Sequence, residues 1–339
     1  MHVCVLGAGG LGSVVGARLA EAGQRVSLVA RPAHADAINA RGLEVTGISG
    51  HRTVRANLCA YADPGDVPGV VDWLIVLVKT RDTASALTGA EALRPRVAAG
   101  FSLQNSTTKD EALAAWLGAE RVIGATTTEA GVLLAAGRVH HTATAPTAFY
   151  FGERDGRPSD RVARLVAMFT AAALSARETA VIEQVEWEKL MQIAVVAGFS
   201  ASTIGFLADR SFADGLSIRS GAEHYVQLAT EMLAVYRGLG YEPQDFFAPF
   251  SAFRRLGSIS FEAAVEDAMA LGVDMLQRGI VGRPSLHEDL TRGRHTEVED
   301  CLGAYVRAAD RLGIDVPTVR GAYRVIRTLQ QLNTEEMNT

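Results

Sequence analysis

His2-Val3-Cys4-Val5-Leu6 runs directly into Gly7-Ala8-Gly9-Gly10-Leu11-Gly12, and this junction decides the fold of the N-terminal half. A helical pattern follows through Leu11, Val14, Val15, Leu19 and Ala22 and stops at Gly23. A second apolar run, Val26 to Ala30, ends on Arg31. Strand, G-x-G-x-x-G, helix and strand in this order form the context in which the glycine pattern reads as a dinucleotide site. Gly7 permits the tight turn, Gly9 lets the backbone approach a pyrophosphate, and Gly12 lets the helix pack close to the strand. Gly7, Gly9, Gly10, Leu11 and Gly12 together form the expected cofactor-binding turn, with free N–H groups and partial positive charge at the helix N-terminus.

The end of the second strand selects the cofactor. An acidic residue there binds a ribose 2′-hydroxyl, whereas an arginine accommodates a 2′-phosphate. The position is Arg31, with no acid before Asp36, so the expected cofactor is NADPH/NADP+. The plainer alternative is that Arg31 only caps a loop.

At 339 residues the chain exceeds a usual single-domain length, and two domains are the default. Hydrophobic residues make up 48% and charged ones 21%, an ordinary globular composition. A net charge of −5 without any basic stripe argues against nucleic acid or an acidic membrane as partner. Three scattered cysteines, Cys4, Cys59 and Cys301, do not suggest a disulfide framework and fit a reducing compartment. The apolar start is only strand-length and unlike a signal peptide, and no stretch reaches the roughly 18 apolar residues of a membrane span. The expected location is cytoplasmic.

Trp73-Leu74-Ile75-Val76-Leu77-Val78 has the length and continuity of a parallel strand buried on both faces. Gly100-Phe101-Ser102-Leu103 and Val122-Ile123-Gly124-Ala125 are shorter strand candidates, with helices expected near 82–92, 109–117 and 159–174. Val139 to Phe151 is expected to be extended and to finish the sheet. Beyond about residue 180 the pattern becomes helical, over 183–201, 219–239, 260–279, 285–292, 297–312 and 317–331, with a frayed tail from Asn333. The expected architecture is α/β followed by all-α. A Rossmann-type doubly wound sheet occupies 1–180 and an all-helical substrate domain 181–339. Such a helical half leaves room for a homodimer.

Ligands of open α/β sheets sit beyond the carboxyl ends of the strands. Lys79 and Thr80 follow one strand, and Gln104, Asn105 and Ser106 follow another, where a cation and an amide can meet cofactor or substrate. A solvated strand-end lysine and a turn-forming asparagine are the plainer alternatives. Lys189, in Trp187-Glu188-Lys189-Leu190, heads a stripe with Ile193 and Ala197 at i+4 and i+8. A poorly hydrated lysine holds its proton less tightly and suits a general acid. The competing interpretation, to which helix pattern alone leans, is a lysine snorkelling toward Glu186 or Glu188. Glu297 reads most simply as an acid in a first helical turn, with Thr296 and Glu299 as a capping box, and Ser285 as an N-cap with Glu288 three residues on. His140 and His141 point to opposite strand faces, and Gly293 interrupts the stretch between His287 and His295, so no metal site is expected.

The order of these pieces resembles the ketopantoate reductase (2-dehydropantoate 2-reductase) family across nearly the whole chain. The resemblance rests on Gly7 to Gly12, Arg31, Val78-Lys79, Leu103-Gln104-Asn105, Trp187-Glu188-Lys189-Leu190, and Pro284-Ser285-Leu286-His287-Glu288-Asp289 through Gly293-Arg294-His295-Thr296-Glu297-Val298. It implies NADPH-dependent reduction of a 2-oxo acid to a 2-hydroxy acid, ketopantoate to pantoate in pantothenate biosynthesis or a close relative of that reaction. It further implies Lys189 as general acid and Glu297 orienting it. Ser285 and Asn105 would hold substrate, with Asn105 also at the cofactor, and Lys79 would line the cofactor side. Where the family carries asparagines four and eight residues after the lysine, this chain has Ile193 and Ala197, and Ser106 replaces the usual glycine after Gln-Asn. Gln192, Ser200 or Ser202 could supply the missing polar contacts. The alternatives are a reductase for a less hydroxylated carbonyl compound and a protein that senses NADPH without turnover.

Overall fold

The computed structural model describes residues 1–205, 207, 209–280 and 282–336, with side chains through Asn333. The chain divides into two compact units, Met1–Glu186 and Trp187–Thr339.

The first unit runs β1 (His2–Leu6), α1 (Gly10–Glu21), β2 (Arg25–Val29), α2 (Pro32–Arg41), β3 (Leu43–Gly47), β4 (Arg52–Val54) and β5 (Leu58–Tyr61). It continues with β6 (Val71–Val76), α3 (Thr83–Gly89), β7 (Val97–Ser102), α4 (Lys109–Leu117), β8 (Gly124–Thr127) and β9 (Ala130–Ala135). β10 (Arg138–Ala143), β11 (Phe149–Gly152), α5 (Asp160–Ala171) and β12 (Ala176–Glu178) complete its strands. The main sheet has the order β5-β2-β1-β6-β7, and every pairing in it is parallel. Its strands are apolar without alternation because both faces are covered. Val3, Val5, Trp73 and Ile75 enter one core, while Cys4, Leu6, Leu74 and Val76 enter the other.

Val139 to Phe151 does not finish this sheet. β10 pairs with β3 and β9 in a four-stranded sheet, and β11 with β8 and β12 in a three-stranded one. The last two sheets draw partners from far along the chain, which local pattern cannot reveal. The strand expected from Val122 lies slightly later, at β8, and the helix expected over 82–92 is the shorter α3.

The second unit begins within α6 (Ile182–Thr203) and adds α7 (Phe212–Leu216), α8 (Arg219–Gly238), α9 (Phe253–Leu256) and α10 (Phe261–Gln277). α11 (Ser285–Thr291), α12 (Leu302–Leu312) and α13 (Pro317–Glu336) follow. Its described residues contain no strand. α6 supplies Leu190, Met191, Ala194, Val195 and Ala197 to a core shared with Met232 and Tyr236 of α8, Tyr305 of α12 and Val319 of α13. Asn333 is helical, not frayed, and its amide donates to the Leu290 carbonyl at 2.8 Å. The final three residues of the expected tail lie outside the described residues. Among those described, no helix is long and apolar enough to cross a membrane.

Candidate active site

In the main sheet β1 stands between β2 and β6, the point where strand order reverses and where such sheets bind ligands. Gly7 leaves β1 with φ +103°, and a Cβ there would lie 2.4 Å from the Val78 nitrogen. Only glycine fits that turn. A Cβ on Gly12 would lie 2.6 Å from the Gly7 carbonyl oxygen, so α1 packs tightly on the turn. The first i→i−4 bond of α1 runs from Ser13 N–H to the Gly9 carbonyl at 3.1 Å. The N–H groups of Gly10, Leu11 and Gly12 therefore lie at the open N-terminus of the helix. Gly9 is exposed, and nothing lies within 4 Å of where its Cβ would stand. This cradle fits a pyrophosphate approaching the backbone at Gly9. Gly10 differs from its neighbours. Its missing Cβ makes room for the Gly131 carbonyl, 2.2 Å away, so this glycine is required by packing against β9.

Three strand ends converge on this turn. Leu77 N–H donates to the Leu6 carbonyl at 2.8 Å, and Leu103 N–H to that of Val76 at 3.2 Å. The Gln104 amide nitrogen donates to the Val78 carbonyl at 2.8 Å and to the Thr83 hydroxyl at 2.7 Å. Its oxygen accepts from Ser102 Oγ at 2.9 Å. Gln104 is thus a buried tie between the β6 and β7 ends, and Asn105 follows it half-buried. Lys79 is exposed just after the segment that Gly7 abuts. Arg31 is also exposed, and its backbone occupies the N-cap of α2 while its side chain makes no capping bond.

Sequence pattern did not reveal His34. It is buried in α2, contacts Ser13 Oγ through Nε2 at 3.0 Å and accepts from Gly137 N–H through Nδ1 at 2.8 Å. It thereby ties the first turn of α1 to α2 and the β9–β10 connection. Burial holds its pKa below the usual histidine value, so it is neutral at pH 7. A buried charge cluster also went unanticipated. Lys109 Nζ donates to Asp110 at 2.8 Å and to Glu186 at 2.7 Å, and Glu186 Oε1 accepts from Ala125 N–H at 3.1 Å. Burial would pull the Lys109 ammonium down, but the two carboxylates beside it raise it above the ordinary lysine value. Burial pushes Glu186 up to about 7 against the pull of Lys109, since one ammonium serves two acids.

In the second unit Lys189 is 6% exposed. Both acids toward which it could snorkel serve other partners. Glu186 holds Lys109, and the fully buried Glu188 accepts from Gln244 N–H at 2.8 Å, Phe246 N–H at 2.9 Å and the Tyr236 hydroxyl at 3.2 Å. From Val185 to Ala201 every residue of α6 is buried except Gln192, Ile193 and Val196. These three stand at i+3, i+4 and i+7 from Lys189 and share its face. Ala197 belongs to the core instead.

Glu297 and Ser285 lose their helix-end explanations. Glu297 lies half-buried in the segment before α12, which begins only at Leu302 with Cys301 as N-cap. Thr296 caps no helix, because α12 begins six residues later; its hydroxyl donates to Gln330 Oε1 at 2.5 Å on α13 and accepts from Val298 N–H at 3.4 Å. The N-cap of α11 is Pro284, which leaves Ser285 exposed as the first helical residue. Of the other polar candidates, Ser200 is buried against His287 Nδ1 at 2.7 Å, and Ser202 contacts His224 Nε2 at 3.1 Å. His287 also bonds the Gly205 carbonyl at 2.7 Å, and the described residues contain no cluster able to hold a metal ion.

Residues 3–156 match the family model "Ketopantoate reductase PanE/ApbA", and residues 181–330 match "Ketopantoate reductase PanE/ApbA C terminal". A 2-dehydropantoate 2-reductase of Halobacterium salinarum is 30% identical over 334 residues, covering 98% of this chain and 99% of its own. A PanE/ApbA family ketopantoate reductase from Ralstonia eutropha JMP134 shares the fold with a TM-score of 0.78 and 26% identity, over 98% of this chain and 100% of its own. A 2-dehydropantoate 2-reductase from Geobacter metallireducens GS-15 gives 0.78 and 25%, over 97% and 99% of the two chains. A glycine cradle at the sheet's reversal point, a buried lysine on α6, and matches spanning both units lead to one assignment: the chain belongs to the ketopantoate reductase family.

Proposed function

We propose that this protein reduces a branched 2-oxo acid to the 2-hydroxy acid with NADPH, ketopantoate being the first substrate to test. The observation that carries this is Lys189, a buried lysine one turn before the half-buried Gln192, Ile193 and Val196 on α6. Gly9 and the N–H groups of Gly10, Leu11 and Gly12 would hold the pyrophosphate. Arg31 would hold the 2′-phosphate, with Lys79 and Asn105 beside the nicotinamide half. NADPH held there would supply the hydride that the 2-carbon needs. Lys189 gives a proton to the 2-oxygen in the same step, and its charge stabilises the alkoxide as it develops. Glu297 orients the ammonium, and Ser285 and Asn105 hold the substrate carboxylate and oxygen.

The test is loss of NADPH absorbance with purified protein and a panel of 2-oxo acids including ketopantoate. Lys189→Ala should lower kcat by roughly a hundred- to ten-thousandfold while NADPH still binds. Unchanged kcat in that variant removes Lys189 from the mechanism. Ile193 and Ala197 favour a second reading, a reductase for a less hydroxylated carbonyl compound, because neither offers a hydrogen bond.

A further inference from the structure

Ser13 brackets the residue at which the cradle opens. Its N–H donates to the Gly9 carbonyl at 3.1 Å, and its hydroxyl reaches back to the Ala8 carbonyl at 3.4 Å. These two bonds hold the peptide units on either side of Gly9, whose own N–H donates to the Gly7 carbonyl at 2.8 Å. Ser13 is fully buried, so its hydroxyl is aimed by protein groups. His34 does the aiming. The Gly137 N–H can only donate, so Nδ1 of His34 accepts, and the single proton of the neutral ring sits on Nε2. Nε2–H therefore donates to Ser13 Oγ at 3.0 Å, which leaves the hydroxyl hydrogen for the Ala8 carbonyl. Gly137 is itself fixed, because its carbonyl accepts from Glu44 N–H at 2.9 Å. A chain of bonds with one polarity thus runs from the β9–β10 connection through α2 to the glycine turn.

We propose that His34 is a positioning residue for the dinucleotide, holding the Ala8–Gly9 peptide through Ser13 in the orientation that admits a pyrophosphate. The inference rests on the glycine turn being the cofactor cradle, as proposed above. His34 is 4% exposed, so it acts through Ser13 and not by contact with the cofactor. An anion-binding turn works by presenting N–H groups and keeping carbonyls turned away. With Ser13 unaimed, the Ala8 carbonyl is free to swing, and its partial negative charge opposes the phosphates. Only the fraction of molecules with the peptide held correctly then binds, and the apparent affinity falls by that fraction. The effect falls on the pyrophosphate, so NADPH and NADH lose affinity alike. That separates His34 from Arg31, whose side chain would discriminate between the two.

Fluorescence titration of the full-length protein with NADPH and with NADH is the test. His34→Gln keeps a donor near the Nε2 position, and His34→Asn keeps an acceptor near Nδ1. Each variant loses one ring bond, so a purely structural role predicts similar falls in urea midpoint and no difference in binding. The proposal instead expects His34→Asn to weaken both dinucleotides about three- to tenfold, and His34→Gln by less than about twofold. Ser13→Ala should weaken them at least as much as His34→Asn does. The double variant should bind no worse than Ser13→Ala alone, because His34 acts only through that hydroxyl. Parent-like affinity in His34→Asn, equal losses in the Gln and Asn variants, or losses that multiply in the double variant each overturn the proposal. If His34→Asn does not fold, Ser13→Ala decides, and parent-like affinity there overturns it. These outcomes leave the cradle standing. A parent protein that binds neither dinucleotide overturns the cradle and this inference together.

Discussion

The Lys109 ammonium and the Glu186 carboxylate, 77 residues apart in sequence, meet at 2.7 Å with both side chains buried. Asp110 completes the cluster at 2.8 Å, and Arg154 reaches the far oxygen of Asp110 at 3.2 Å. The cluster joins the start of α4 to the first turn of α6 and to the β8 backbone through Ala125.

Removing the shared cation should be costly. Lys109→Met leaves two buried carboxylates with only the half-exposed Arg154 to oppose them. A loss of about 3–5 kcal/mol in unfolding free energy is expected. Urea unfolding of parent and variant at pH 7 measures it, and a loss below about 1 kcal/mol would show the cluster to be an incidental contact.

Neighbouring glycines in the turn should fail in different ways. Gly10→Ala drives a methyl group into the Gly131 carbonyl and should lower stability by roughly 1–3 kcal/mol. Gly9→Ala meets nothing in the protein, so the melting temperature should hold while NADPH affinity, read by fluorescence titration, falls. Equal NADPH affinity in Gly9→Ala and parent would move the pyrophosphate elsewhere.

Arg31 should separate the two nicotinamide cofactors. Arg31→Ala is expected to weaken NADPH binding roughly ten- to a hundredfold, the worth of a charged hydrogen bond, and to leave NADH binding nearly as it was. A parent protein that binds both cofactors equally would reject this role.

Stability should fall on mild acidification. Burial lowers the pKa of His2, His34, His224 and His287 in the folded chain. Above the unfolded value near 6.5 both states are neutral and these groups contribute no slope. Below it the unfolded chain takes up protons that the folded chain resists, so their contribution is lost as pH drops. Glu186, pushed up to about 7, and Glu188, also raised by burial, have the opposite sign: their contribution shrinks as pH rises from the unfolded value through the folded one. Four histidines outweigh two glutamates. The urea midpoint should therefore drop between pH 6.5 and 5.5, more steeply in Glu186→Gln, and a flat or rising midpoint would count against buried neutral imidazoles.

The glycine turn, Arg31 at the second strand end and the helical second half were legible because each rests on local chemistry. A positive-φ turn needs glycine, a doubly covered parallel strand needs continuous apolar residues, and an amphipathic helix announces its own period. Thr296 shows where such local signals fail. Its spacing to Glu299 spells a capping box, yet its hydroxyl donates to Gln330, 34 residues away, and accepts only in a local turn from Val298 N–H, and α12 starts five residues after the glutamate that follows it. The Val139 to Phe151 strands were recognisable as extended but not as members of two further sheets, since register depends on partners remote in sequence.

Lys189 and Gln192 divide the two kinds of information. Their spacing on one helix is a property of the amino-acid order alone. That Glu186 and Glu188 have other partners, that both serines meet histidines, and that the Gln192 oxygen has no partner among the described residues follow only from packing. Hydrogen-bond commitments are settled by which groups come within about 3 Å in space, and one-dimensional order does not encode that distance.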